Sequence, residues 1–264
     1  MTTIVSCYYL LPNNKKRSTD SYMSWISTFL THCTSPIVMF SDGPIADEMD
    51  RFRKSKGNWL LVRTPLTDLH FGSEAELQYM DHRAKGRTIT PEVIRIWLNK
   101  SHLMSRVAKA NPFNTDSFIW CDAGCWRDHT FAKTYAPGWP RSPPKALTSS
   151  WIGNSLQDVK SLPKPNTNTA FEEFVTHYMA YLLDRPAFTG GIFGGDKEAI
   201  SNFTEIFTKV FEICRARNIP IDGDQELCGV TVLWMESQGM PTKFYDETNL
   251  PPGTDNWFML QSLL

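Results

Sequence analysis

Residues whose chemistry points to a ligand occur in four short segments of this 264-residue chain. Asp122 follows the apolar run Ser117–Cys121 and precedes two small residues, Ala123 and Gly124. A carboxylate at the end of a buried strand, with little bulk beside it, can bind a divalent cation on a diphosphate or the ribose of a nucleotide. The alternative interpretation is a turn carboxylate that caps the next element.

Lys100 is the second candidate because of its position on a predicted helix that ends near Ala110. It falls on the apolar stripe of that helix, in register with Trp97 and Met104, whereas the polar stripe comprises Arg95, Asn99, His102, Arg106 and Lys109. A buried lysine needs an anionic partner, and a substrate phosphate would supply one. The alternative is that its stem packs while its ammonium reaches solvent.

The third candidate segment is rich in glycine. Two Gly-Gly pairs flank Ile-Phe in Gly190–Gly195, and Asp196 can cap the helix that follows. Glycine permits close backbone approach, so Gly190, Gly191 and Gly194 are candidates for a turn that contacts a ligand. A tight strand–turn is the alternative, since the segment is neither a GxGxxG motif nor a P-loop.

The fourth segment is acidic. Asp222, Asp224 and Glu226 lie within five residues at a predicted helix start, with Gln225 among them. The helix dipole alone favours acids there. The functional interpretation places Asp224, Gln225 or Glu226 against a reacting carbon.

Strands and helices alternate in the part of the chain that must position these residues. Strands are predicted at Thr2–Tyr9, Pro36–Ser41, Asn58–Arg63 and Ser117–Cys121, and helices at Thr19–His32, Ile45–Lys56, Thr90–Ala110, Phe171–Leu183 and Asp222–Ser237. Such alternation predicts parallel βαβ units, with ligands at the carboxyl ends of the strands. We predict an irregular segment at 64–89, a long surface excursion at 134–169, and one domain over 1–264.

Composition excludes several classes of protein. The formal net charge is −1, so no basic excess favours nucleic acid, and no run of 18 apolar residues predicts a membrane span. The basic residues follow the first apolar run, which is the reverse of a secretory signal. The six cysteines are predicted to be reduced thiols of a cytoplasmic protein. A zinc site at Cys121, Cys125 and His129 is a weak alternative, because no fourth ligand is evident.

Several segments together resemble one known family. TIVSCYYLLPNNKKRS, PIVMFSD, IRIWLNK, NPFNTDSFIWCDAGCWRD, YAPGWP and GGIFGGDKEAI resemble the HtrL/YibB-like (WlaTC-type) family of glycosyltransferase-like proteins. The match covers most of the chain, and its most specific parts are WCDAG and GGIFGG.

The layout is also similar to a GT-A glycosyltransferase, a Rossmann-like α/β fold with a mixed, mostly parallel sheet flanked by helices. This resemblance implies a nucleotide-binding half at 1–125 and an acceptor and donor-sugar half at 126–264. It implies donor-binding roles for Ser6, Tyr8, Tyr9, Arg95, Lys100, Asp122, Ala123, Gly124, Gly190, Gly191 and Gly194, with Tyr8 or Tyr9 stacking on the base.

The resemblance also implies Mn²⁺ or Mg²⁺, with Asp122 as its ligand. The family's D-x-D motif has one aspartate here, and Asp128, Asp246 or Asp255 would have to complete the shell. Asp224-Gln225 is similar to the pair under the sugar in some retaining enzymes, whereas an inverting enzyme would use Asp224 or Glu226 as its general base.

We therefore expect a glycosyltransferase that uses a nucleotide sugar and a glycan or lipid-linked acceptor, with peripheral membrane association still open. One alternative is a nucleotidyltransferase of related fold, for which only Lys15, Lys16 and Arg17 suggest a triphosphate loop. The other is a non-catalytic carbohydrate-binding protein, which the missing second aspartate favours.

Overall fold

A computed structural model describes residues 1–11, 17–73, 76, 90–152, 155–161, 170–183, 188–221, 223–250 and 255–264. Its strands are β1 (Thr2–Cys7), β2 (Ile37–Ser41), β3 (Trp59–Arg63), β4 (Ser117–Cys121), β5 (Leu147–Ser150), β6 (Ile192–Asp196) and β7 (Thr242–Tyr245). Its helices are α1 (Thr19–His32), α2 (Gly43–Arg53), α3 (Pro91–Ala110), α4 (His129–Tyr135), α5 (Ser155–Ser161), α6 (Phe171–Leu182), α7 (Lys197–Ala216), α8 (Gln225–Ser237) and α9 (Leu260–Leu263).

The strands of the described residues form one mixed sheet in the order β3-β2-β1-β4-β6-β5-β7. Only β6 runs against its neighbours, pairing antiparallel with both β4 and β5, so the sheet is mostly parallel as predicted. The chain builds outward from β1 to β3 and then returns through α3 to place β4 on the other side of β1. The carboxyl ends of β1 and β4 therefore flank a topological switch point, where open α/β sheets bind ligands.

Helices cover both faces of the sheet, which confirms the predicted fold class. Residues of α3, α6, α7 and α8 pack with Val5, Cys7 and Trp120 into one hydrophobic cluster. Residues of α1, α2, α4 and α9 pack with Ile4 and Ile119 into a second. The alternation of β1 between the two clusters follows from the period of two along a strand. Within the described residues, no helix combines the length and apolar composition needed to cross a bilayer.

The predicted excursion at 134–169 is wrong over its middle. Leu147–Ser150 is a fully buried strand that pairs with β6 and β7, and Trp151 after it is also buried. Its side chains are largely hydroxyls, and Ser150 and Thr189 are hydrogen bonded to each other inside the fold. A short strand of small polar residues lacks the apolar alternation that predicts strands. Residues 153–154 and 162–169 of the excursion lie outside the described residues.

The glycine-rich segment combines a turn at Gly190 and Gly191 with a strand, as the alternative interpretation predicted. Ile192–Asp196 is strand β6, whose Gly194 pairs with Ile119 and whose Asp196 caps α7 by accepting a hydrogen bond from Ala199 N at 2.8 Å. Only Gly190 and Gly191 precede the strand. Strand β7 and helix α4 were not predicted. Lys15 and Lys16, most of the segment 64–89 and Asp222 lie outside the described residues.

The polar stripe predicted on α3 is solvated only toward the end of the helix. Arg106 and Lys109 are exposed there, but Arg95 and Asn99 are buried. The Asn99 side chain accepts from Phe71 N and donates to Phe71 O, both at 3.0 Å. The segment around Phe71 therefore covers the polar stripe of α3 at Arg95 and Asn99 and separates it from solvent.

Replacing Gly194 with alanine tests the packing of β6 against β4. A Cβ at Gly194 would lie 2.3 Å from the Phe118 carbonyl oxygen, and main chain cannot move aside cheaply. We expect Gly194→Ala to lower the free energy of unfolding by about 1–3 kcal/mol or more, as overpacking does. Gly57→Ala is the control, because a Cβ there meets nothing within 4 Å. Equal urea midpoints for the two variants would contradict this packing.

Candidate functional site

Four segments that are distant in sequence meet at the carboxyl edge of the sheet around the ammonium of Lys100. Its Nζ donates a hydrogen bond to the carbonyl oxygen of Gly190 at 2.8 Å. It also lies 2.9 Å from Asp224 Oδ2 and 3.1 Å from Asp122 Oδ1. Lys100 comes from α3, Asp122 follows β4, Gly190 precedes β6 and Asp224 precedes α8. The structure thus brings together one candidate from each segment named by the sequence.

The protein itself supplies the anionic partners of Lys100, which corrects both sequence-based interpretations of this residue. Its side chain is 5% exposed, so the ammonium does not reach solvent. Burial alone would lower the pKa of the Lys100 ammonium, but the nearby carboxylates of Asp122 and Asp224 raise that pKa above its ordinary value. Lys100 is therefore a permanent cation, and no substrate phosphate is needed to keep it charged.

Asp122 is the carboxylate of the cluster that reaches solvent. Its side chain is 34% exposed, against 6% for that of Asp224. Oδ1 accepts a hydrogen bond from the Trp120 indole Nε1 at 2.7 Å and also faces Lys100. Asp122 directly follows β4 and comes two residues after Trp120, so extended backbone directs both side chains to the same side. Two donors on one oxygen fix the orientation of the carboxylate.

Asp224 is buried just before the start of α8. Burial raises the pKa of the Asp224 carboxyl, while the adjacent Lys100 lowers it, and the net shift is upward. Gly190 is required at this point, because a Cβ there would lie 2.5 Å from Asp224 Oδ2. Gly191 continues the contact, since its carbonyl oxygen accepts from Asp122 N at 2.8 Å.

The other residues expected near the site lie at the same edge with varied burial. Ser6 and Tyr9 are buried, and their hydroxyls have no hydrogen-bond partner among the described residues. Tyr8 is half-buried against Tyr22, with ring centroids 5.3 Å apart, and burial raises its pKa to about 12. At the start of α8, Gln225 is half-buried and Glu226 is buried.

Arg95 and Gly194 do not join the cluster. The guanidinium of Arg95 donates to the carbonyl oxygens of Phe71 and Thr67 at 3.1 and 2.9 Å. It is committed to the protein's own main chain, which corrects the expectation of a donor-facing side chain. Gly194 lies inside β6, where the backbone of β4 takes up the space that a side chain would need.

The side chains at this edge do not form a ligand set for a metal ion. Among the described residues, no group of three or more His, Cys, Asp or Glu side chains could hold one. The proposed partners of Asp122 are engaged elsewhere: Asp128 caps Phe131 N, Asp246 accepts from Thr248, and Asp255 caps Trp257 N. Asp122 offers one outward oxygen at most, so the described side chains alone do not hold the Mn²⁺ or Mg²⁺ expected from the resemblance. A cation that completes its shell with diphosphate oxygens and water stays a prediction.

The cysteines of the zinc alternative are part of the core. All six are free and buried. Cys121 Sγ and Cys125 Sγ are 2.9 Å apart, while the His129 ring packs against that of His32. Reduced core thiols were predicted, and the described structure contains them.

Sequence reasoning missed an aromatic and cationic group beside Asp122, made of Tyr22, Trp25, Arg127 and Phe258. A Cβ on Gly124 would lie 2.9 Å from the Tyr22 ring and 3.3 Å from that of Trp25. The Arg127 guanidinium lies 5.2 Å from the Trp25 ring centroid and 4.8 Å from that of Phe258. Trp120 was missed too, although the period of two along β4 could have paired it with Asp122.

Fold and site together define an α/β protein with a buried lysine and two carboxylates at the switch point of a mostly parallel sheet. The chain belongs to the HtrL_YibB family, described as a bacterial protein of unknown function, whose model matches residues 67–258. That range contains Lys100, Asp122, Gly190 and Asp224.

No curated protein matches the chain. A solved structure titled CMP:2-keto-3-deoxy-manno-octonic acid synthetase complexed with CTP is 9% identical, with a TM-score of 0.41. The likeness covers 93% of this chain and 89% of that one. At this TM-score it carries no argument.

Replacing Lys100 with methionine tests the ion cluster. The variant would leave Asp224 buried without its cation, which costs about 3–5 kcal/mol. An Asp whose folded-state pKa exceeds its unfolded value destabilises the fold above the unfolded pKa. That destabilisation is complete above the folded pKa, and it diminishes as pH falls from the folded pKa to the unfolded pKa. Without Lys100 the pKa of Asp224 rises further, so the stability difference from the parent protein should be smaller at pH 5 than at pH 8.

Urea unfolding of both proteins at the two pH values measures this difference. Lys109→Met on the same helix is the control, because Lys109 is exposed and its loss should cost little. A Lys100→Met deficit that does not change with pH would contradict an unpaired Asp224 as its cause.

Proposed function

We propose that the protein is a glycosyltransferase that moves a sugar from a nucleotide-sugar donor to a glycan or lipid-linked acceptor. The observation that carries the proposal is the cluster in which buried Lys100 holds Asp122 and Asp224 together at the switch point between β1 and β4. Sheets of this topology bind nucleotides at that position. The sequence resemblance to glycosyltransferase-like proteins supports the same class.

Asp122 is the residue proposed to contact the donor. Its carboxylate is partly exposed, and Trp120 and Lys100 fix its orientation. A held carboxylate can accept hydrogen bonds from ribose or sugar hydroxyls without reorganising when the donor binds. Beside it, the lack of a side chain at Gly190, Gly191 and Gly124 lets Asp224, Phe258 and Tyr22 pack directly against the main chain.

Asp224 and Gln225 are proposed to lie under the transferred sugar. Asp224 is held by Lys100 next to the Gly190 main chain, and Gln225 follows it as the first residue of α8. In a retaining reaction these two polar groups face the anomeric carbon. In an inverting reaction Asp224, whose pKa is raised, or Glu226 takes the proton of the acceptor hydroxyl.

Conservative variants test the assignment through the release of the donor's nucleotide, which is a nucleoside diphosphate, or CMP when the donor is a CMP-sugar. The protein is first incubated with UDP-, GDP-, CMP- and dTDP-sugars, because a bound donor raises the melting temperature. With the donor that binds, we expect Asp122→Asn and Asp224→Asn each to lower the rate of nucleotide release by a factor of about 100 or by a larger factor. Each variant removes a positioned carboxylate. Asp116→Asn is the control, because Asp116 is 91% exposed and pairs with the amino terminus.

The products distinguish the alternative functions. Pyrophosphate released from a nucleoside triphosphate would instead indicate a nucleotidyltransferase. Saturable sugar binding with no nucleotide released would indicate a carbohydrate-binding protein. Full turnover in both Asp variants, with melting temperatures close to that of the parent protein, would refute the site assignment.

A further inference from the structure

Arg127 is a cation held in a defined position next to the ion cluster. It ends the turn that begins at Asp122, and its Nε donates a hydrogen bond to the Gly124 carbonyl oxygen at 3.1 Å. The faces of Trp25 and Phe258 lie 5.2 and 4.8 Å from the guanidinium carbon. Aromatic rings attract a guanidinium and restrict its side chain, so these contacts place the charge without neutralising it.

The charge of Arg127 remains available to a ligand. Among the described residues, the carboxylate paired with it is that of Asp255, whose Oδ2 is 4.0 Å from Nη1. That distance is too long for a hydrogen bond, and both side chains are 44% exposed. Asp255 already accepts a hydrogen bond from Trp257 N at 2.9 Å. An exposed ion pair of this kind contributes little to stability. An anion that makes better hydrogen bonds to Arg127 can therefore displace Asp255.

A chain of close contacts joins Arg127 to the cluster. Asp122 N donates to Gly191 O at 2.8 Å, which places Gly191 against the turn. A Cβ on Gly191 would lie 2.6 Å from the Phe258 ring, the ring that also packs on Arg127. Gly191 therefore contacts both the main chain of Asp122 and the ring that packs on Arg127.

The charges of the site require a second cation if a diphosphate binds there. Lys100 donates a hydrogen bond to the Gly190 carbonyl oxygen and forms ion pairs with Asp122 and Asp224, so its charge is already engaged within the protein. One ammonium and two carboxylates leave a net charge of −1, which repels phosphate. The described side chains offer no ligand set for a metal ion that would reverse this charge. Arg127 is a cation beside the cluster with its terminal N–H groups free of hydrogen bonds to described residues.

We propose that Arg127 binds the diphosphate of the donor, so that the site uses a cation carried by the protein in place of a divalent metal ion. The planar guanidinium can present two parallel N–H donors to phosphate oxygens. Trp25 and Phe258 are positioning residues that hold it. This inference rests on the proposed function for the identity of the ligand.

Inorganic pyrophosphate is the probe, because it tests the diphosphate site without the nucleoside or the sugar. Calorimetric titration in EDTA should show binding to the parent protein, with an affinity that added Mn²⁺ leaves unchanged. Arg127→Gln should lower the affinity for pyrophosphate by a factor of about 10 or by a larger factor, as expected for a lost charge-assisted contact. Asp255→Asn should bind as tightly as the parent or more tightly, because it removes a competing anion.

Arg141→Gln is the matched control, since Arg141 is also exposed and lies 5.7 Å from the ring of Tyr135, away from the cluster. It should bind pyrophosphate as the parent does. The inference is overturned by equal binding in Arg127→Gln, by binding that requires Mn²⁺, or by no binding in either medium.

Sugar-nucleotide turnover by the same proteins separates this inference from the proposed function. Turnover that depends on Mn²⁺ and not on Arg127 would leave the glycosyltransferase proposal standing and refute the role of Arg127. Pyrophosphate binding through Arg127, with no sugar nucleotide consumed, would support the role of Arg127 and refute the glycosyltransferase proposal.

Discussion

The buried ammonium of Lys100 is the constraint on which the rest of the site depends. Taking three charged groups out of water is unfavourable unless each has a close partner of opposite charge. Lys100 meets this condition only if α3, the end of β4, the start of β6 and the start of α8 keep their relative positions. Because the contacts are 2.8–3.1 Å long, a small displacement of any one segment would break them. The cluster thus selects one arrangement of helices around the sheet.

The sequence predicted the first half of the fold well because its elements have strong local patterns. Thr19–His32 and Ser117–Cys121 have the predicted bounds, and the other early elements differ by a few residues at their ends. Strand β5 was missed because Leu147–Ser150 is short and rich in hydroxyl side chains, and β6 was only an alternative interpretation because glycine weakens the strand pattern. Both are strands only because neighbouring strands satisfy their main chains, which local sequence does not encode.

The sequence identified the residues of the site by their type and local position, but it did not predict which of them contact one another. Asp122, Lys100, Gly190 and Asp224 were each singled out from local features, such as a strand end or a helix stripe. Their meeting depends on contacts between residues 90 positions apart in the chain for Lys100 and Gly190, and no local pattern reports that distance. For the same reason the partner of Lys100 was expected to be a substrate. Arg127 lacked a local signal altogether, because its position depends on aromatic rings from α1 and from the end of the chain.

The two carboxylates of the cluster share one lysine, but their environments separate their chemistry. Asp122 is partly exposed and accepts an indole N–H, so it is solvated on its outer side and fixed on its inner side. Asp224 is buried, and its pKa is raised despite the adjacent ammonium. Environments that differ in this way are how proteins assign different roles to like groups. Asp122 is suited to hold a ligand at the carboxyl edge of the sheet, and Asp224 is suited to exchange a proton or to oppose developing positive charge. Lys100 keeps the two close enough to act on one ligand.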